Sequence, residues 1–281
     1  MPGTEVLALL CGLCSAIAWG AGDFSGGLAT KRGNVLLVVL WSQLAGALVL
    51  VALALALTDD FPRYPYLLYG AAAGIAGVFG LAALYRGLAL GRMGVVAPIS
   101  AVTAAVIPIA FAAYSEGLPD VAQLLGFGLA TLSILALSYS RGTTRIQALE
   151  LGHAVVAGLG FGLFFIFIDR VSSQSVLWPL VAARGASIPC LLLLVHLRGE
   201  FRWPAKNQIG LLALIGLFDA AGNTFFALAT RMGRLDIAAI LSSLYPAATV
   251  MLAWVILKEH LTRTQWTGVV IAAASLVLIS L

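Results

Sequence analysis

Ala97–Leu118 reads APISAVTAAVIPIAFAAYSEGL, and Ile240–Leu261 reads ILSSLYPAATVMLAWVILKEHL. At an offset of 143 the two stretches align Ser100 with Ser243, Glu116 with Glu259 and Leu118 with Leu261. Upstream, Leu88-Ala89 and Arg92-Met93-Gly94 find counterparts in Leu228-Ala229 and Arg231-Met232-Gly233. Downstream, Gln123 and Gly126 match Gln265 and Gly268. The same order of small, polar, apolar and acidic positions recurs in both halves, and a duplication of this kind sets the architecture before any single motif does.

The rest of the chain says what is duplicated. Of 281 residues, 61% are hydrophobic and 10% charged, with 16 Lys and Arg against 12 Asp and Glu. Soluble domains are about 45–50% apolar and about 25% charged, so a mean hydropathy of +1.03 leaves too little polar surface for a globule in water. Disorder needs the opposite composition. A nucleic-acid partner is excluded as well, because the basic residues behind the net charge of +4 are scattered between apolar runs rather than clustered.

Crossing the hydrocarbon core takes about 20 apolar residues. Runs of that length lie at Val6–Leu28, Val35–Leu57, Tyr66–Leu90, Val95–Ser115 and Val121–Tyr139 in the first half. The second half supplies Leu151–Ile168, Val176–Leu197, Gln208–Thr230, Ile237–Leu257 and Trp266–Leu281. The runs are continuously apolar and rich in Ala and Leu, without the alternation of barrel strands. The expected fold is therefore an all-α integral membrane protein with ten transmembrane helices in two five-helix repeats, 1–140 and 141–281. An odd number of crossings per repeat inserts the second upside down, the inverted-repeat architecture whose substrate site lies near the midplane.

Each half ends in a small-Ser-x-Leu-x-Pro-like segment, then acidic-x-Leu, then Gln-x-x-Gly. This pattern resembles the paired EamA domains of the drug/metabolite transporter superfamily. Leu241–Thr262 follows that signature closely, whereas the first copy carries Thr103 where the second has Pro246. Trp19-Gly20-Ala21-Gly22-Asp23-Phe24 is similar to the family's Trp-Gly motif in the first helix. The resemblance covers nearly the whole chain and implies a transporter. It leaves the solute open, because the superfamily handles amino acids, nucleosides, sugar phosphates and drugs.

Charges inside spans cost about 2.5–3.5 kcal/mol each at mid-bilayer, so they usually face the bundle interior or a cavity. Four occur: Asp23, Arg86, Arg184 and Asp219. Arg184 and Asp219 either pair to lock helices or line a cavity where a carboxylate such as Asp219 titrates and Arg184 serves as a substrate counter-ion. Asp23 has the same two readings, and Arg86 is expected to snorkel to the interface. Asn223 follows Asp219 by four residues and shares its helix face. Ser242, Ser243 and Tyr245 precede Pro246, which removes a backbone hydrogen bond, while Ser100 and Thr103 follow Pro98. A pair of bent helices at these matched positions would mark the binding site. The residues expected to bind substrate are therefore Asp219, Arg184, Asn223, Asp23, Trp19, Ser243, Tyr245 and Ser100.

Trp19, Trp41, Tyr85, Phe164 and Phe165 are candidate cavity aromatics, and Trp178, Trp203, Trp254 and Trp266 candidate interfacial anchors. Gly70, Gly74, Gly77 and Gly80 form one helix stripe, and Gly158 and Gly162 another, which suits close helix packing. Cys11, Cys14 and Cys190 read as packing residues, and His153, His196 and His260 sit singly near span ends. No P-loop, dinucleotide fingerprint or metal-ligand spacing appears, so no cofactor is expected and the driving energy must come from a gradient. An intramembrane enzyme would need a nucleophile–base pair or metal cluster, and the sequence offers none.

If the termini share one side, that side's loops carry Arg63, Arg170, Arg231 and Arg234. The other side's carry Lys31, Arg32, Arg92, Arg141, Arg145, Arg198, Arg202, Lys206, Lys258 and Arg263. Positive-inside counting puts both termini outside the cytoplasm, although members of the family resembled are often drawn with termini inside. The expected function is a secondary transporter in the cell's inner membrane. It would export a small metabolite, an amino acid or related amphipathic solute, by alternating access through a central cavity. An uncoupled facilitator or multidrug exporter is the alternative, and a scaffold a remoter one. Its partners would be the small solute, membrane lipids and protons or another coupling ion. A homodimer is left open.

Overall fold

The structure, a computed structural model, describes residues 2–30, 33–57, 61–90, 93–137, 148–258 and 262–279; side chains at 2, 85, 87–95, 97, 98 and 253 are outside the description. Glu259 and Leu261 of the repeat, His260, and the basic residues Lys31, Arg32, Arg92, Arg141 and Arg145 therefore lie outside the described residues.

The described chain is helical. The first half contributes α1 (Pro2–Thr30), α2 (Val35–Ala56), α3 (Tyr64–Leu90), α4 (Met93–Ser115) and α5 (Val121–Leu137). The second contributes α6 (Ala148–Ser172), α7 (Leu177–Leu197), α8 (Lys206–Met232), α9 (Leu235–Ser242), α10 (Tyr245–Leu257) and α11 (Arg263–Ile279). Seven stretches, Leu235–Leu257 among them, are long and apolar enough to cross a membrane, and Ile99–Ser115, Val121–Leu137 and Arg263–Ile279 are shorter apolar helices. With α9 and α10 counted as one interrupted span, these make ten in two groups of five.

The interruption has a local cause. Pro246 has no N–H to bond the Ser242 carbonyl, and its ring crowds that carbonyl. The chain closes α9 with Ser243 N–H on Ala239 O (3.0 Å) and starts again with Ala247 N–H on Leu244 O (2.9 Å). The expected matching bend at Pro98 is absent: α4 runs unbroken through it.

Packing runs mainly between the two halves. α1 lies along α8 and α3 along α6; α2 touches α8 and α3 touches α7; α4 packs on α6, and α9 and α10 on α1. Every such pair has its counterpart when span n is exchanged for span n + 5, and α2–α7 and α5–α11 are self-matched. The repeated residues take part. Gly126 of α5 faces Leu278 and Ile279 of α11, while Gly268 of α11 faces Ala136 and Leu137 of α5. Gln123 Oε1 accepts the Asp120 N–H and Gln265 Oε1 the Thr262 N–H, so both glutamines close the first turn of their helices.

Between apolar helices in lipid there is little hydrophobic drive, and small residues let backbones approach and gain packing. Gly74 lies against the Ala183 backbone, Gly70 against Pro179, and Gly46 and Gly216 against one another. A Cβ on Gly160 would come within 2.7 Å of the Gly80 backbone and of Ala76 O. Of the stripe read on α3, Gly70, Gly74 and Gly80 make such contacts, and of the stripe on α6, Gly158 lies against Thr103 and Gly162 against Ile107. Outward-facing Leu48, Leu55, Ile17 and Val270 are exposed, as a lipid-facing belt requires.

Candidate functional site

Mid-span residues of α1, α2, α3, α4, α6, α7 and α8, together with Tyr245 at the start of α10, wall a cavity with about 780 Å³ of atom-free space, its mouth included. Six of the eight residues singled out from sequence line it: Trp19, Asp23, Arg184, Asp219, Asn223 and Tyr245. Ser100 and Ser243 do not. Both are fully buried, and neither hydroxyl has a partner among the described residues. Their match across the repeat is thus a match of packing positions.

The charged wall is built by α1, α7 and α8. Arg184 Nη2 donates to Asp219 Oδ2. The Arg184 side chain is 11% exposed and that of Asp219 36%, so the acid faces the cavity more than the base does. Arg184 Nε is buried and has no hydrogen-bond acceptor among the described residues. Asn223, one turn beyond Asp219, donates its Nδ2 to the Asp219 carbonyl (2.8 Å). Gly22, beside Asp23, lies over Phe218 and the Asp219 backbone. That approach brings the two carboxylates within electrostatic reach of each other. Arg184 has its partner in Asp219; no ion pair reaches Asp23 among the described residues.

The same cavity is also lined by aromatic rings. Trp19 stacks on Phe165 at 5.5 Å between centroids and 15° between planes, and Phe165 stacks on buried Phe226 at 4.4 Å. Phe161 and Phe164 extend the lining. The Trp-Gly pair in α1 now has a mechanical reason. A side chain at Gly20 would strike Tyr245 O (2.6 Å) and Ala248, and one at Gly222 would strike the Trp19 indole. The bare glycines let α1 settle between α8 and α10, and Thr249 Oγ1 to Gly20 O (3.1 Å) and Ser15 Oγ to Gly222 O (2.9 Å) fasten it.

Other expectations fare differently. Trp41 faces away from the cavity, donating Nε1 to Arg202 O (3.2 Å) and packing on Trp203 and Phe201. The Tyr85 side chain lies outside the described residues, and Arg86 is exposed. Sequence reasoning missed Gln43 of α2, which lines the cavity, and Ser187 of α7, which holds it; a lone amide in an otherwise apolar run was the available signal. Among the described residues no three His, Cys, Asp or Glu side chains gather as a metal site.

A helical bundle of two reciprocal halves around a charged mid-span cavity defines a polytopic membrane transporter. The model of the EamA-like transporter family matches residues 6–139 and 150–281. The chain belongs to that family, within the drug/metabolite transporter class. It is 31% identical over 135 residues to an uncharacterized protein of Methanocaldococcus jannaschii, an alignment covering 48% of this chain and 96% of the relative, which is thus about one repeat long. A solved structure described only as the crystal structure of a protein shares the fold at a TM-score of 0.78 and 17% identity. That match covers 96% of this chain and 95% of the other.

Proposed function

We propose that the protein is a secondary carrier that exports a small amphipathic metabolite, an amino acid or a relative of one, through two oppositely inserted halves that expose the cavity to each side in turn. The observation that carries this reading is the company in the cavity: Arg184, Asp219 and Asp23 share one lining with the aromatic rings of Trp19, Phe164 and Phe165. A locking pair needs one acid and one base. The third charge, costly at this depth, is explained by a cationic ligand group. An ammonium suits the acids, a carboxylate suits Arg184, and an apolar side chain suits the rings.

Asp219 is neutralised by Arg184, so Asp23 is the group left to exchange a cation, a proton included. The reciprocal packing of the halves supports the inverted arrangement, and the charge count supports a cytoplasmic-membrane protein with its termini outside. Counterflow of labelled amino acids into proteoliposomes under an imposed pH gradient tests the reading. Uptake above protein-free vesicles is expected, with gradient dependence lost in Asp23→Asn and half-saturation raised in Arg184→Ala. Absence of flux for every amino acid would overturn the substrate class. Gradient dependence intact in Asp23→Asn would overturn the coupling role.

A further inference from the structure

Gln43 is 6% exposed, yet it lines the cavity. Ser187 Oγ donates to its Oε1 at 2.5 Å, across the α2–α7 interface. That bond fixes the amide: with the carbonyl oxygen turned to α7, the two Nε2 hydrogens are left over. Nε2 meets no protein acceptor among the described residues and is not among the sealed unpartnered atoms, so it reaches the open space of the cavity. An amide spends two donors there, and unsatisfied donors at such a depth are costly unless something accepts them.

Arg184 lines the same cavity. Ser187, which holds Gln43, follows Arg184 by three residues and shares its helix face. Arg184 spends Nη2 on Asp219, and its Nε is sealed without an acceptor among the described residues. The Gln43 amide, the Arg184–Asp219 pair and the Asp23 carboxylate thus line one cavity.

We infer that Gln43, oriented by Ser187, is a specificity-determining residue whose amide N–H groups receive the carboxylate of the transported solute on the cavity wall that Arg184 also lines. This rests on the proposed amphipathic substrate and adds which residue discriminates a carboxylate from its neutral counterparts. Ser187 is the positioning residue, acting through Gln43. Glutamine suits the task better than a second arginine, because a neutral donor adds no net charge that an emptied cavity would have to hold.

The test uses the full-length protein in proteoliposomes with three aromatic probes: L-phenylalanine, phenylpropionate (carboxylate only) and phenylethylamine (ammonium only). Competition with labelled phenylalanine, and direct uptake of each probe, are measured for wild type, Gln43→Ala, Gln43→Glu and Ser187→Ala, all checked for monodispersity in detergent. Wild type is expected to take phenylalanine and to be inhibited by phenylpropionate. Gln43→Ala should raise the half-saturating concentration of both about tenfold, the size of one hydrogen bond to a charged group, with the maximal rate held. Gln43→Glu keeps the acceptor for Ser187 but opposes a carboxylate, so it should lose phenylpropionate inhibition and keep or gain phenylethylamine uptake. Ser187→Ala should weaken phenylalanine binding less than Gln43→Ala does, and should add nothing in the double variant.

Unchanged half-saturation in a well-folded Gln43→Ala, or phenylpropionate inhibition surviving in Gln43→Glu, would overturn the assignment and leave the amino-acid reading standing. Wild type taking up phenylethylamine alone would overturn the assignment and the amino-acid reading but not the carrier itself. Uptake of none of the three would overturn both.

Discussion

At the scale of single residues, the decisive contact is Arg184 with Asp219. Breaking a sealed ion pair by removing one member costs about 3–5 kcal/mol, because a charge is left buried alone, whereas replacing both members with apolar groups is often neutral. Here Asp219 is partly open to the cavity, so the cost should fall below that range. Asp219→Asn alone should lower thermal stability in detergent by roughly 1–3 kcal/mol, and Arg184→Met with Asp219→Leu should recover most of it. The recovered double variant should transport nothing if the pair belongs to the binding site. Activity retained in the double variant would make the pair a packing device. Asp219 and Arg184 were legible from sequence because charge in an apolar run is rare. Ser100 and Ser243 were not separable from site residues, since a serine costs little in a helix and its repeat match reports packing as readily as binding.

At the scale of elements, the ends of the helices are tied as carefully as their middles. The α4–α5 turn is fastened to the α8–α9 turn. Arg234 donates Nη2 to Gly117 O (2.8 Å) and grips Asp236 through Nε and Nη2 at 3.1 and 2.8 Å. The Leu235 N–H meets the Glu116 carboxyl, and Arg170 lies over the Phe111 ring at 4.6 Å. Burial pushes the Glu116 carboxyl up from the ordinary carboxylate range, with the nearby Asp236 charge adding to the rise. Arg234, the Leu235 N–H and Arg170 hold it down in part. A carboxyl raised in the folded state keeps its proton longer there than when unfolded, so stability falls as pH rises from the ordinary value through the raised one. The Glu116 side chain is exposed, so the slope should be shallow. Glu116→Gln keeps an acceptor for Leu235 and removes the titration. Its thermal stability should vary less than wild type between about pH 4 and about pH 7; an unchanged slope would assign the effect elsewhere. The repeat had pointed to Glu116, but only the fold brought Arg234 and Asp236 to it.

For the whole molecule, the main contacts of each repeat are with the other. α1 needs α8 and α3 needs α6, while neighbours in sequence such as α1 and α2 touch little. The helices of the two halves are therefore interlocked among the described residues. Either half made alone should fail to give a monodisperse monomer in detergent, because its small-residue faces lack their partners. The two co-expressed should co-purify one to one. A stable monomeric half would refute the reciprocal packing.

The sequence by itself determined the solvent, the helices and the doubling. Hydrophobicity summed over 20 residues, and matched punctuation between runs, are local quantities that survive without coordinates. It also marked the within-span charges, because the bilayer makes each of them expensive wherever it points. Direction was what it lacked. Whether Ser243 or Gln43 meets the cavity depends on the rotation of one helix against another, and that rotation is set by glycine contacts such as Gly46 on Gly216 and Gly74 on Ala183. These join residues far apart in the chain, so only the tertiary structure could decide them.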